Sequence, residues 1–153
     1  MPNFDEIDLV ILRELRNNAR IANKVLAHKA GIAPSTCLAR VQRLEKAGVI
    51  TGYHAELNAR SIGVGIQAMI TVQLEKHIRE QTEALKTHLL DLEEVLAVFH
   101  ITGKDDFLVH VAVRDTENLR EFVLQMVDNE EIAHVETYLI YEQFRHPSLP
   151  VYI

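Results

Sequence analysis

The chain is 153 residues long, 48% hydrophobic and 25% charged, the balance of a folded protein with room for one ordinary domain or two small ones. Residues 1–18 carry six charges and no apolar run, and the longest charge-free stretch, Ser61 to Leu74, spans 14 residues. Neither a secretory leader nor a membrane-spanning helix is therefore expected, which makes the cytoplasm the expected location, and the single Cys37 excludes a disulfide framework and a cysteine-rich zinc site.

The net charge of -6 hides a split. Up to Asn58, 8 Lys/Arg stand against 6 Asp/Glu, and within Arg20 to His54 the count is 6 against 1; from Ala59 onward it is 8 against 16. A basic segment on an acidic body fits a module that faces phosphate.

Asp5 with Asp8 resembles a capping box with a shorter acid in third place, and Phe4, Ile7, Ile11, Leu12 and Leu15 then recur at helical spacing. A second helix is predicted from Asn23 to Ala30, with Val25, Leu26 and Ala30 inward and Gly31 as its left-handed terminator. Pro34 suits the first turn of a third helix, whose stripe of Leu38, Val41 and Leu44 faces inward and which stops at Gly48. Val49-Ile50 and Tyr53 to Leu57 read as two short strands around Gly52. Residues 58–65 hold two of the six glycines and no strong period. The expected organisation is thus a first domain over 1–58, a linker over 59–65 and a second domain over 66–153.

The second half alternates strand and helix patterns. Strands are predicted over Ile66 to Leu74, Val95 to Thr102, Phe107 to Val113 and Ile132 to Phe144. Helices are predicted over Ile78 to Leu92, with Ile78, Leu85, Leu89 and Leu92 on one side, and over Thr116 to Val127. Gly103-Lys104-Asp105-Asp106 is a strong turn signal between the second and third strands. The order is that of a ferredoxin-like fold, one antiparallel sheet with both helices on a single face. The strands, with Met69, Val98, Phe99 and Leu139 among them, read as apolar on both faces, so the uncovered face is expected to meet a second copy.

Leu26 to Leu38 is the most informative stretch. Ala27, four residues before Gly31, lets two helices cross closely, and the helix that follows turns one polar stripe outward. Its outward positions are read as Ser35, Thr36, Ala39, Arg40, Gln42, Arg43 and Lys46. Short hydroxyls near the amino end suit base edges in a major groove, Arg40 can fork onto a guanine, and Gln42 can pair with adenine. An ordinary solvated face on a helical hairpin is the alternative.

Pro34-Ser35-Thr36-Cys37-Leu38, then Arg40-Val41-Gln42-Arg43-Leu44-Glu45 and Gly48-Val49-Ile50-Thr51-Gly52-Tyr53, resemble the leucine-responsive regulator/AsnC family of transcription regulators. Asp5, Asp8, Ile11-Leu12, Leu15 and Arg20 match it too, as do Thr102-Gly103, Asp106-Phe107 and Thr137, so the likeness runs over essentially the whole chain. The resemblance implies an α+β protein: an N-terminal winged helix-turn-helix on double-stranded DNA and a C-terminal βαββαβ ferredoxin-like (RAM-type) domain. It implies a homodimer assembling to a tetramer or octamer, an amino acid as effector and no cofactor. The outward residues of the third helix, with His54 in the wing, would contact DNA. The effector would sit between dimers, around Gly103 and Asp106, with Phe99 before the turn and Tyr138, Leu139 and Ile140 on the last strand. Asp106 would take the ammonium, the Gly103 turn the carboxylate, and Phe99 with Leu139 the side chain. Simple turn chemistry explains Asp105-Asp106 equally well.

The chain departs from the family where Ala22 and Ala33 replace the usual Ser or Thr at two helix starts, and each lost cap costs about 0.5–2 kcal/mol. Asn23 is expected to take over the first by a one-residue shift. Lys104 adds a positive charge beside the effector turn, and Cys37 is read as packing. His100, His110 and His134 fall on three strands, but with no Cys partner and no His-x₃-His spacing a metal site is not expected. Neither a Walker-type loop nor a nucleophile elbow is present, so no catalytic residue is assigned. A siroheme-decarboxylase-like enzyme on the same architecture, or a ligand-binding assembly protein that has lost DNA binding, are the alternative readings.

Overall fold

The computed structural model describes residues 4–76 and 79–144. The chain divides into two compact units, the first running to Glu56 and the second spanning Leu57–Gln143.

In the first unit, α1 (Glu6–Asn17) begins where the Asp5 side chain accepts from the Asp8 amide and the Asp8 side chain accepts from the Asp5 amide, the reciprocal box that the two acids predict. α2 (Asn23–Lys29) is closed by Gly31 at φ 67, and α3 (Pro34–Lys46) starts on its proline. Neither Ala22 nor Ala33 makes a side-chain cap. Asn23 does not supply one either; its amide donates to the Pro34 carbonyl at 2.8 Å and ties the start of α2 to that of α3.

Ile11, Leu26, Ala27, Cys37 and Leu44 form the buried centre, ringed by Ile7, Leu15, Val41 and Ile50. Two residues expected inward are not there: Val25 and Leu38 are 48% and 49% exposed. The inward stripe of α3 is Cys37, Val41 and Leu44, and Leu38 lies about 100° around the helix from Cys37. The strand pair expected after α3 does not form among the described residues. Val49 and Ile50 donate their amides back to the Leu44 carbonyl, and residues 51–58 belong to no strand.

The second unit opens with a short 3-10 helix, Ala59–Ile62, capped by Asn58, within the segment expected as a linker. β1 (Ile66–Leu74), α4 (Arg79–Leu90), β2 (Val95–His100), β3 (Phe107–Val113), α5 (Thr116–Val127) and β4 (Ile132–Leu139) follow in the predicted order. The sheet is antiparallel throughout, in the order β2-β3-β1-β4. Ile78, expected on the inner side of α4, lies outside the described residues. β2 stops at His100; the Ile101 amide makes one further bond in register, to the Asp106 carbonyl, before the turn. β4 stops short of Phe144 because β1, which begins at Ile66, offers it no further partner beyond the Ile140 amide bond to Gln67.

Alternation on the two central strands builds the core. Ala68, Ile70, Val72 and Leu74 on β1 and Phe107, Val109, Val111 and Val113 on β3 are all buried against Leu85 and Leu89 of α4 and Leu119, Phe122 and Met126 of α5. Residues directly opposite in an antiparallel pair share a face. Val98, opposite Val109, and Leu139, opposite Ala68, therefore join the helix side. The other side holds Met69, Leu108, Phe99 and Tyr138, but also Gln67, Thr71, Gln73, His110, His134 and Glu136. It is mixed rather than apolar, which corrects the expectation of strands apolar on both faces.

Gly65 marks a close backbone approach. Its amide donates to Val113 at 3.0 Å, and a Cβ there would lie 2.2 Å from the Arg114 carbonyl oxygen. Gly65→Ala should destabilise the second unit by about 1–3 kcal/mol in denaturant unfolding; an unchanged midpoint would show that the strand can yield.

Candidate DNA-reading surface and effector site

The burial of Cys37, Val41 and Leu44 fixes what α3 offers to solvent. Ser35, Thr36, Ala39, Gln42, Arg43 and Lys46 are all exposed, and Leu38, expected inward, stands among them. Arg40 departs from its expected place. Its side chain is 22% exposed and points to α1, where one guanidinium nitrogen donates to both Asp5 oxygens at 2.8 and 2.7 Å and to Asp8 Oδ1 at 3.0 Å. Arg43 donates to Asp8 Oδ2 at 2.5 Å while its side chain stays 56% exposed. The same two acids that cap α1 thus hold α3.

This cluster changes the charge picture. The window from Arg20 to His54 omits Asp5, Asp8 and Glu14, which pair with Arg40, Arg43 and, at 2.6 Å, Lys29. Among the described residues Arg20, Lys24 and Lys46 make no ion pair, so the cationic surface is smaller than the count suggested. The Arg40 guanidinium, helped by the Asp8 amide, holds the Asp5 carboxyl below its ordinary value, while Asp5 and then Asp8 raise Arg40. Burial pushes the Cys37 thiol up. Beyond α3, the Tyr53 hydroxyl donates to Glu45 at 2.8 Å, and the exposed His54 ring folds back over Gly52. Burial, then Glu45, raises Tyr53.

At the other candidate site, Gly103 has φ 128 and opens the turn between β2 and β3. Asp106 secures this turn to β1: its side chain accepts from the Leu74 amide at 2.8 Å, and its own amide donates to Val72. The carboxylate expected to meet an ammonium thus already holds backbone. Its neighbour Asp105 instead carries a buried oxygen, Oδ1, with no hydrogen-bond partner. A repeated Asp in a turn is ordinary turn chemistry, so nothing in the sequence separated the two. Lys104 reaches Glu136 at 3.6 Å, and Glu136 also accepts from the Tyr138 hydroxyl and meets His134. Tyr138, then His134 and Lys104, lower the Glu136 carboxyl, and Glu136 raises Tyr138.

The structure brings only part of this set together. Phe99 and Tyr138 share the open face, whereas Leu139 lies on the helix side and cannot form one wall with Phe99. The turn sits beside Val72 and Leu74, while Ile140 bonds to Gln67 at the opposite end of β1, about 23 Å away along the strand. An open cleft of about 330 Å³ next to the turn is lined by Leu74, Arg79, Thr82, Glu83, His100 and Asp106. The three strand histidines have separate surroundings: His100 packs on Phe107 at 5.0 Å, His110 meets Gln67 and His134 meets Glu136. Among the described residues no group of three His, Cys, Asp or Glu is arranged to hold a metal ion, and no helix is long and apolar enough to cross a membrane.

A helical hairpin presenting a free polar helix, followed by a ferredoxin-like sheet with one open face, defines a DNA-binding transcription regulator with a separate ligand domain. Residues 4–51 match a winged helix-turn-helix DNA-binding family, and residues 67–149 match the Lrp/AsnC ligand binding domain. The chain belongs to the Lrp/AsnC family of transcriptional regulators. It is 42% identical over 147 residues to the regulator AldR of Mycolicibacterium smegmatis, covering 95% of this chain and 86% of that one. It is 34% identical over 143 residues to the leucine-responsive regulatory protein of Rhizobium meliloti, covering 93% and 92%. A Neisseria meningitidis transcriptional regulator solved with L-Met superposes with a TM-score of 0.88 at 30% identity, covering 97% of each chain.

The Asp5 carboxyl is lowered from 3.8, so its pairing stabilises the first unit fully above that pH and is lost as pH falls through the lower folded value. Melting temperature should therefore drop on acidification below 3.8, and Asp5→Asn should flatten that drop. Parallel acid profiles for the two proteins would count against the pairing.

Proposed function

We propose that this chain is an amino-acid-responsive transcription regulator that acts in the cytoplasm as a homodimer assembling further to a tetramer or octamer. The observation that carries this reading is the free polar face of α3, with Ser35, Ala39, Gln42 and Lys46 at its centre and Leu38, Thr36 and Arg43 at its margins. A dimer would set two copies of α3 in successive major grooves about 34 Å apart. Ser35, Thr36 and Gln42 would read base edges, Leu38 and Ala39 would meet thymine methyls, Arg43, Lys46 and His54 would meet phosphate, and Arg40 would hold the helix.

The effector site would be completed by copies of the chain, since one copy keeps Gly103 and Ile140 at opposite ends of the sheet. An α-amino acid needs an acceptor for its ammonium, backbone N–H groups for its carboxylate and an apolar wall. Asp105, with its unpartnered oxygen, suits the first better than Asp106; the turn at Gly103 suits the second, and Phe99 with Tyr138 the third. The Neisseria relative, solved with L-Met, supports this ligand class. The open sheet face would meet a second copy, with Met69, Leu108 and Phe99 as its apolar contacts. The effector can shift the assembly only by as much as it prefers one state over another.

The deciding experiment maps bound DNA across the host genome and then measures affinity for the recovered fragments with and without a panel of L-amino acids. Asp105→Asn should abolish the amino-acid response of the oligomeric state while leaving DNA affinity within about threefold, well under one good base contact. Asp106→Asn should instead lower the melting temperature. A protein that ignores every genomic fragment at low salt would sink the regulator reading, and a full response in Asp105→Asn would move the ammonium elsewhere.

A further inference from the structure

Asp8 is a carboxylate with no access to solvent, and the two arginines that meet it are not equivalent. Its Oδ1 accepts from Arg40, and its Oδ2 accepts from Arg43 and from the Asp5 amide. Arg40 spends its guanidinium on three carboxylate oxygens and is 22% exposed; Arg43 has one such contact and is 56% exposed. If Arg43 leaves, Asp8 keeps Arg40 and the Asp5 amide, so no buried charge is orphaned. If Arg40 leaves, Asp8 keeps Arg43 and the Asp5 amide, but Asp8 and Asp5 each lose a cation at once, three contacts against the single one that Arg43 makes. Arg43 also borders the outward face, next to exposed Ala39 and Lys46.

Given that α3 enters DNA, we propose that the buried Asp8 carboxylate holds Arg43 in reserve and that Arg43 is its exchangeable partner. Arg40 locks α3 to α1 and stays there, while Arg43 leaves the Asp8 carboxylate for a backbone phosphate when the duplex docks. The buried carboxylate therefore competes with DNA for one cation. Specific docking overcomes that competition, and weak encounters with arbitrary sequence do so less well.

The test is a cycle of Asp8→Asn, Arg43→Gln and the two combined, with affinity for a recovered operator and for an unrelated duplex measured across a salt series. Asp8→Asn should tighten binding severalfold, most on the unrelated duplex, and the gain should vanish in the Arg43→Gln background. Arg43→Gln alone should make the salt slope shallower by about 0.9, the release of one phosphate contact. Should Asp8→Asn fold poorly, guanidinium nitrogen spectra of the unaltered protein supply the same answer: adding duplex should move the Arg43 signal and leave that of Arg40. Tightening that persists without Arg43 would mean simple loss of a nearby negative charge and would overturn the exchange, as would an Arg43 signal unmoved by DNA. Failure of the unaltered protein to bind any duplex would overturn the DNA-reading assignment along with it.

Discussion

A carboxylate sealed from water must be paired, and in this protein that requirement organises the DNA-binding half. Asp8 closes the capping box of α1 and, through the same side chain, grips α3 by way of Arg40 and Arg43. Apolar packing around Cys37, Leu26 and Leu44 sets which side of α3 faces inward. The directional ion pairs add to it by tying α3 to the start of α1. A small domain with five fully buried apolar residues gains orientation from charge placed where it cannot relax.

The second half solves a different problem. Its two central strands place eight buried residues under two helices, and this covered side needs nothing further. The uncovered side keeps polar groups among its apolar ones, including the Thr71 hydroxyl oxygen, buried without a partner. A face of this composition is tolerable in water and still able to meet a complementary surface. The turn at its margin is anchored by Asp106, which leaves the neighbouring Asp105 to carry unspent hydrogen-bonding capacity.

Much of this was legible in the residues. The strands Ile66–Leu74 and Phe107–Val113 and the helix Thr116–Val127 coincide with their predicted bounds, because alternation and helical spacing there are unbroken and turn residues flank them. The phase of α3 is not, because Cys37 and Leu38 are adjacent apolar residues and size alone favours the larger as the inward one. Composition suggests a strand pair after α3, yet the Val49 and Ile50 amides are committed to ending the helix. Arg40 was misplaced for a related reason: its partners lie 32 and 35 residues earlier, and local charge counting does not see acids brought back by the fold. Periodicity reports on neighbours along the chain, and long-range ion pairs lie beyond it.

The separation of the turn at Gly103 from Ile140 along β1 carries a consequence for how such a regulator behaves in a cell. In the proposed arrangement, a recognition site whose halves belong to different molecules would exist only in proportion to how many molecules have met. Its sensitivity would then be a property of abundance as well as of chemistry, with expression level an input on the same footing as nutrient concentration.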